Sequence, residues 1–347
     1  MPDKEKYGPL RGFITVNAVD GFWGGPMTPG SSMTVAYHFG TPSQSGGGSQ
    51  YKIIKGHIGR FFEALAEAFK DNGGILKLNS EVKKILVDKG IAYGVELAGG
   101  EKITANTIIS SCGTFNTFVN MVGSDNTPPF LERQIRNINY TDQFVQIYWA
   151  FKKLPAFRDE YAEMNEGLWR WNIWSYPSSE AMERSWDAVK YGGIPDEPCP
   201  SLYFPSMLDP NLAPPGMQSG TSFVMLGWPK GVPENKREEL KHQLTERVID
   251  RFQVFMPDFR DCLLDYKVWS TEDYEKVYRN TGGTWTHGMI QLDQMFDNRP
   301  VKGMSNYRAP IKNLYLCGTS NHPGPGVTGF SVMNCLKVIR DDWKKSK

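Results

Sequence analysis

The sequence is poor in features that announce chemistry by themselves. Its five cysteines are Cys112, Cys199, Cys262, Cys317 and Cys335, and none sits in a C-x-x-C pair. The odd count argues against a disulfide framework, and the spacing excludes a dithiol motif. A reducing compartment, and with it a cytoplasmic location, is expected. Its five histidines are His38, His57, His242, His287 and His322. None has the H-E-x-x-H spacing of a metal site, so no metal is expected. Charge of either sign is not in excess, with 39 Lys plus Arg against 38 Asp plus Glu. That leaves no electrostatic footprint for nucleic acid or an acidic surface. No secretory signal pattern is present, and no apolar run is long enough to span a bilayer. No Ser/His/Asp or Cys/His set has motif support, no P-loop occurs, and no internal repeat is visible.

What remains is an ordinary globular composition, 40% apolar and 22% charged, in a chain of 347 residues. That length suffices for two packed units. Aromatic residues are plentiful, with ten Trp. They fit either a bulky core or an aromatic-lined pocket for an apolar substrate.

Along the chain, Phe13–Ala18 and Thr34–His38 are short mixed runs, followed by a Gly/Ser-rich loop at 43–49. Ile58, Phe61, Phe62, Leu65 and Phe69 recur at helical spacing, and Asn72-Gly73-Gly74 ends that helix. Strands are expected at 75–78, 82–87, 91–97 and 107–110. Phe144–Phe151 and Thr221–Trp228 read as strands of β-branched and aromatic residues. A long helix is expected from about Glu234, with Leu240, Leu244, Val248, Phe252 and Phe255 on one face and Pro257 as its stop. The proline-rich stretch 198–215 reads as irregular. Within Trp169-Arg170-Trp171-Asn172-Ile173-Trp174, Trp169 and Trp171 would share one side of a strand and form a pocket wall or core.

The C-terminal segment is the most informative. Asn313-Leu314-Tyr315-Leu316-Cys317 reads as a buried strand, Gly318-Thr319-Ser320-Asn321-His322-Pro323 as a small-residue loop, and Gly324-Pro325-Gly326-Val327-Thr328-Gly329 as the opening of the final helix. A bare loop at a helix start lets backbone N–H groups approach an anion or a polar ring. Gly324, Gly326 and Gly329 match the letters of a dinucleotide fingerprint. That fingerprint also needs a following strand and an acidic residue about 20 positions on, for which the sequence leaves no room.

Arg308-Ala309-Pro310-Ile311-Lys312-Asn313-Leu314-Tyr315-Leu316-Cys317-Gly318, with His322-Pro323-Gly324 after it, resembles the C-terminal flavin motif of phytoene desaturase-type FAD oxidoreductases. Lys55-Gly56-His57-Ile58-Gly59, Leu78-Asn79-Ser80-Glu81-Val82, Pro205-Ser206-Met207-Leu208-Asp209-Pro210 and Gln291-Leu292-Asp293-Gln294 resemble further family stretches in the same order. The resemblance implies an α/β fold. It consists of an incomplete FAD-binding domain, Rossmann-like and of glutathione reductase-2 type, at 50–115 and 301–347. An α+β substrate domain with a mixed or antiparallel sheet would occupy 1–49 and 116–300. It further implies FAD contacts at Val82, Ser111, Gly318, Thr319, Gly326, Val327 and Thr328. His322 is the candidate proton donor, and His287 joins Trp169 and Trp171 as candidate substrate-pocket residues. Asp293 and Arg299 read as a structural ion pair.

Family members begin with a strand, G-x-G-x-x-G and a helix, whereas this sequence opens with Met1-Pro2-Asp3-Lys4 and already resembles the middle of a member, with Thr28-Pro29-Gly30 at the mid-chain turn. The expectation is therefore a flavin-facing and substrate-binding portion of an oxidoreductase, a desaturase, dehydrogenase or saturase acting on an apolar, isoprenoid or lipid-like substrate. A partner chain carrying the ADP-binding unit would share or supply the FAD, or else the sequence is a fragment or a degenerate homologue of such a protein; peripheral membrane association is left open. The alternative is a non-catalytic scaffold protein that keeps the fold without the cofactor.

Overall fold

The computed structural model describes residues 7–40 and 54–345, so the Gly/Ser-rich stretch 43–49 lies outside the described residues. Nine α-helices and ten strands follow in chain order among the described residues. They fall into two compact units, the first built from 7–40, 54–75 and 142–273 and the second from 76–141 and 274–345. Residues 59–71, read from sequence with the nucleotide-binding half, cluster with the first unit. Residues 116–141 and 274–300 cluster with the second.

The first unit holds α1 (Gly8–Val19), α2 (Ser31–Gly40) and α3 (Gly59–Asp71), so the two mixed runs near the start are helical. Its sheet is antiparallel, in the order β6 (Asn172–Trp174), β7 (Cys199–Tyr203), β8 (Gln218–Met225), β5 (Val145–Phe151) and β9 (Leu263–Trp269). Strand β7 forms inside the stretch read as irregular. In β5, Val145, Ile147, Trp149 and Phe151 alternate with more exposed residues and are all buried. A period of two puts them on one face, as expected where one side of an antiparallel sheet is covered. They share a core with Leu244, Val248 and Phe252 of α6 (Glu234–Gln253). Those positions are four apart and so lie on one helix face. Helices α5 (Ser179–Lys190) and α7 (Phe259–Cys262) complete the unit, and α8 is Thr271–Tyr278.

The second unit contains an antiparallel meander of β1 (Val82–Asp88), β2 (Ile91–Leu97) and β3 (Lys102–Thr104). Residues 75–78 form no strand, and Ile75 and Leu78 are exposed. Beside the meander, β4 (Ile108–Ser110) pairs in parallel with β10 (Leu314–Leu316). A π-helical turn at Asn116–Val122, α4 (Pro129–Arg136) and α9 (Phe330–Lys345) follow. Ile85, Ala92, Phe118, Ile135, Leu314 and Leu316 form the core. The architecture is mixed α/β.

Candidate functional site

The candidate site is built by the carboxyl ends of β4 and β10. Their register sets Ile108 against Leu314, Ile109 against Tyr315 and Ser110 against Leu316. The Cys317 N–H donates to the Ser110 carbonyl at 2.9 Å, so both strands end at one level. From there the chain leaves as Ser111-Cys112-Gly113 on one side and Gly318-Thr319 on the other. In open α/β sheets such strand ends are where ligands bind. Gly318 has φ +89°, and a Cβ placed there would lie 3.5 Å from the Ser111 carbonyl oxygen. Space is adequate, so it is the left-handed backbone that asks for glycine.

The loop after Gly318 is tied from within. The Asn321 side-chain amide donates to the Cys317 carbonyl at 2.9 Å, and the Gly324 N–H donates to the Asn321 carbonyl at 2.8 Å. Asn321 itself is buried, and its Oδ1 has no hydrogen-bond partner. Tyr307 donates its hydroxyl to the His322 carbonyl, and Asn334 of α9 donates to the Tyr307 oxygen. Gly324, Gly326 and Gly329 have φ of +115°, +123° and +71°. These angles are incompatible with a right-handed helix, so α9 starts later than the sequence suggests, at Phe330. Thr328 accepts the Phe330 N–H at its start.

Arg299 is the residue that sequence reasoning undervalued. It is 2% exposed, and its guanidinium donates to the carbonyls of Thr286, Gly288, Gln294 and Thr319. One buried cation thus joins the 286–288 turn to the loop after β10. Reading it as half of a pair with Asp293 leaves this network out. Five donors in a rigid fork suit carbonyls converging from several segments. Between two of those carbonyls stands His287, in the left-handed region with φ +51°. Its Nδ1 would lie 3.2 Å from a Cβ at Gly113, which itself has φ +78°. The imidazole therefore borders the end of β4. Burial, with Arg299 adding to it, pushes its pKa below the ordinary value. Tyr140 contributes a buried hydroxyl without a hydrogen-bond partner, and burial raises its pKa against the pull of Arg299.

The structure therefore brings together Ser111, Gly318, Thr319 and His287. His322 and Gly326 lie on the same loop, half-buried, whereas Val327 is 76% exposed. Val82 opens β1, opposite Leu97, and packs against the core that holds Leu314 and Leu316. Cys317 is buried, and burial with Cys112 nearby raises its pKa, which keeps the thiol protonated and in a packing role. Trp169 and Trp171 need correction. They lie in a 3-10 turn, not a strand, and β6 begins only at Asn172. Gly167 precedes the turn with φ +60°, and the Arg170 guanidinium binds the carbonyls of Pro155 and Asn165. Trp169 is 69% exposed, so the two rings do not line one face of a strand. Among the described residues no group of three metal-ligating side chains converges.

No protein-family model matches the chain. It is 28% identical to mouse pyridine nucleotide-disulfide oxidoreductase domain-containing protein 2 over 344 residues, 97% of this chain and 59% of that protein. A limonene dehydrogenase subunit of Castellaniella defragrans is 24% identical over 84% of this chain and 55% of its own. Chloroplastic prolycopene isomerase of Arabidopsis thaliana is 26% identical over 94% of this chain and 50% of its own. The chain thus spans between half and three-fifths of the curated relatives it matches. Among solved structures, cyclohexylamine oxidase of Brevibacterium oxydans superposes with a TM-score of 0.55, covering 97% of this chain and 64% of that one at 12% identity. That likeness shows the mixed α/β fold over most of the chain. The motif-based resemblance to the phytoene desaturase type stands, with amine oxidases as structural relatives.

Proposed function

We propose that the chain forms the flavin-facing and substrate-binding part of an FAD-dependent oxidoreductase. In this reading the second unit is an incomplete Rossmann-like FAD-binding domain of glutathione reductase-2 type. The ADP half of the FAD would be held by residues other than the described ones, such as those of a partner chain. The substrate class is apolar and isoprenoid-like, and the reaction is a desaturation or saturation. The observation that carries the reading is the level pair of parallel strand ends at Ser110 and Leu316, with Gly318 in a left-handed turn between them. The names of two relatives add support, since limonene and prolycopene are isoprenoid hydrocarbons and one relative is called a subunit.

The residues fit a flat ring with polar edges. Gly318 and Gly326 leave half-buried backbone without a side chain on one loop, and the buried Asn321 Oδ1 nearby has no hydrogen-bond partner. When bound, a flavin supplies the hydride acceptor or donor. The chain supplies position and electrostatics. Gly318, Thr319, Gly326 and Thr328 would hold the ring's edge through backbone groups. Ser111 would border it from the β4 side, and Arg299 adds a fixed positive charge behind the loop that favours electron-rich neighbours.

Titration of the purified chain with FAD, followed by flavin fluorescence or calorimetry, tests the division of labour. Weak or no binding is expected, because the pyrophosphate is normally held by a βαβ unit that the described residues do not contain. Tight, stoichiometric binding by the chain alone would overturn it.

A further inference from the structure

We propose that Arg299 is the positioning residue of the strand-end site: it sets His287 against Gly113 at the end of β4 and fixes Thr319 beside Gly318, so that His287 faces whatever occupies the site. The proposal deepens the flavin reading and rests on it for the identity of the occupant.

Geometry carries the argument. His287 holds a backbone conformation that non-glycine residues rarely adopt. Such a conformation persists where its surroundings over-determine it. Here the residues on both sides of His287, Thr286 and Gly288, give their carbonyls to the same guanidinium. That guanidinium also takes the Thr319 carbonyl through Nη2 at 2.9 Å and through Nε at 3.3 Å. One side chain therefore spans the two loops that leave the site. Lysine cannot reproduce this, since an ammonium offers a compact point charge rather than a planar fork. On the far side of the imidazole, Gly113 leaves the space that a Cβ would close to 3.2 Å from Nδ1.

The same arrangement has an electrical consequence. The charge on Arg299 acts on His287, and it acts on Tyr140 as well. Burial and the guanidinium both oppose protonation of the imidazole. His287 therefore presents one N–H and one lone pair at neutral pH.

The test needs no cofactor. The full chain is labelled with 15N-histidine, and imidazole resonances are followed by NMR as pH is lowered, with His287→Gln assigning the His287 signal. In the wild type His287 is expected to titrate below the ordinary histidine range. In Arg299→Gln its midpoint should move up, with far-ultraviolet circular dichroism unchanged. In Arg299→Lys the midpoint should stay low, but the nitrogen shifts should change because the fork is lost. An unchanged His287 titration and unchanged shifts in either folded variant would overturn the proposal. Should Arg299→Gln fail to fold, Arg299→Lys alone still decides, because unaltered His287 shifts there contradict positioning. Free FMN is then added as a probe. A shift of the wild-type His287 signal that is lost in Arg299→Lys supports the proposal with a flavin occupant. Arg299-dependent titration without any FMN effect supports positioning, and the flavin reading is then decided by the absorbance spectrum of the assembled protein.

Discussion

At the scale of single residues, backbone conformation explains more of the site than side-chain chemistry does. Gly326 lies in the loop ahead of α9 with φ +123°. A valine there would be strained by about 1–2 kcal/mol and would set a branched side chain where the ring edge is proposed to lie. Gly326→Val is expected to abolish flavin retention in the assembled complex while circular dichroism stays that of the wild type. Full flavin and full activity in the variant would remove this loop from the site. The letters G-P-G-V-T-G were legible in the sequence, whereas their conformation was not, because a glycine-rich run reads equally as a helix opening. Arg299 was less legible still. Its partners are carbonyls, which carry no sequence signature, and they come from three separate segments.

A second residue-scale prediction concerns Lys241 and Asp273 in the first unit, 2.7 Å apart. Burial is the largest single influence and works against the charge on each. It is outweighed by the sum of hydrogen bonds and charge attraction, from Asp273 and Glu238 on Lys241 and from Lys241 and Ser270 on Asp273, so the pKa of Lys241 is raised and that of Asp273 lowered. A carboxyl whose pKa falls on folding adds stability above its unfolded value of 3.8. That contribution is lost as pH falls through the lower folded value. Asp273→Asn should therefore destabilise the chain at neutral pH and flatten the acid limb of its stability curve below about pH 4. Denaturant melts at pH 7 and pH 3 check this, and a constant difference between variant and wild type at both would contradict it.

At the scale of elements, the hydrophobic period found the long ones. Leu244, Val248 and Phe252 do line the buried face of α6, and Val145, Ile147, Trp149 and Phe151 that of β5. Short elements were missed where local chemistry competes with pattern. Trp169 and Trp171 look like alternating strand residues, but Gly167 and the Arg170 contacts turn the chain there. Helix α3 poses the opposite case. Its period is clear, yet Phe61, Phe62, Leu65 and Phe69 are each 40% exposed or more, and no described residue of α3 is buried. An apolar stripe of this kind marks an association site or a liability to aggregate. The chain alone is expected to self-associate in light scattering, and Phe62→Glu with Leu65→Glu to reduce that association. A wild-type chain that runs as a monodisperse monomer would contradict the expectation.

At the scale of the whole molecule, the order of motifs along the sequence carried the family resemblance, which no single motif could. The similarity to mouse pyridine nucleotide-disulfide oxidoreductase domain-containing protein 2 extends over 97% of this chain. Motif order says nothing about which atoms meet, so the network joining Arg299, His287 and the strand ends had to come from the structure. The central claim is that these strand ends face a flavin whose ADP half is held by residues other than the described ones. The absorbance spectrum of the protein purified together with its native associates tests that most directly. The account predicts flavin bands in the intact assembly that disappear when the chain is separated from it. A colourless assembly, with the chain present and folded, would contradict it.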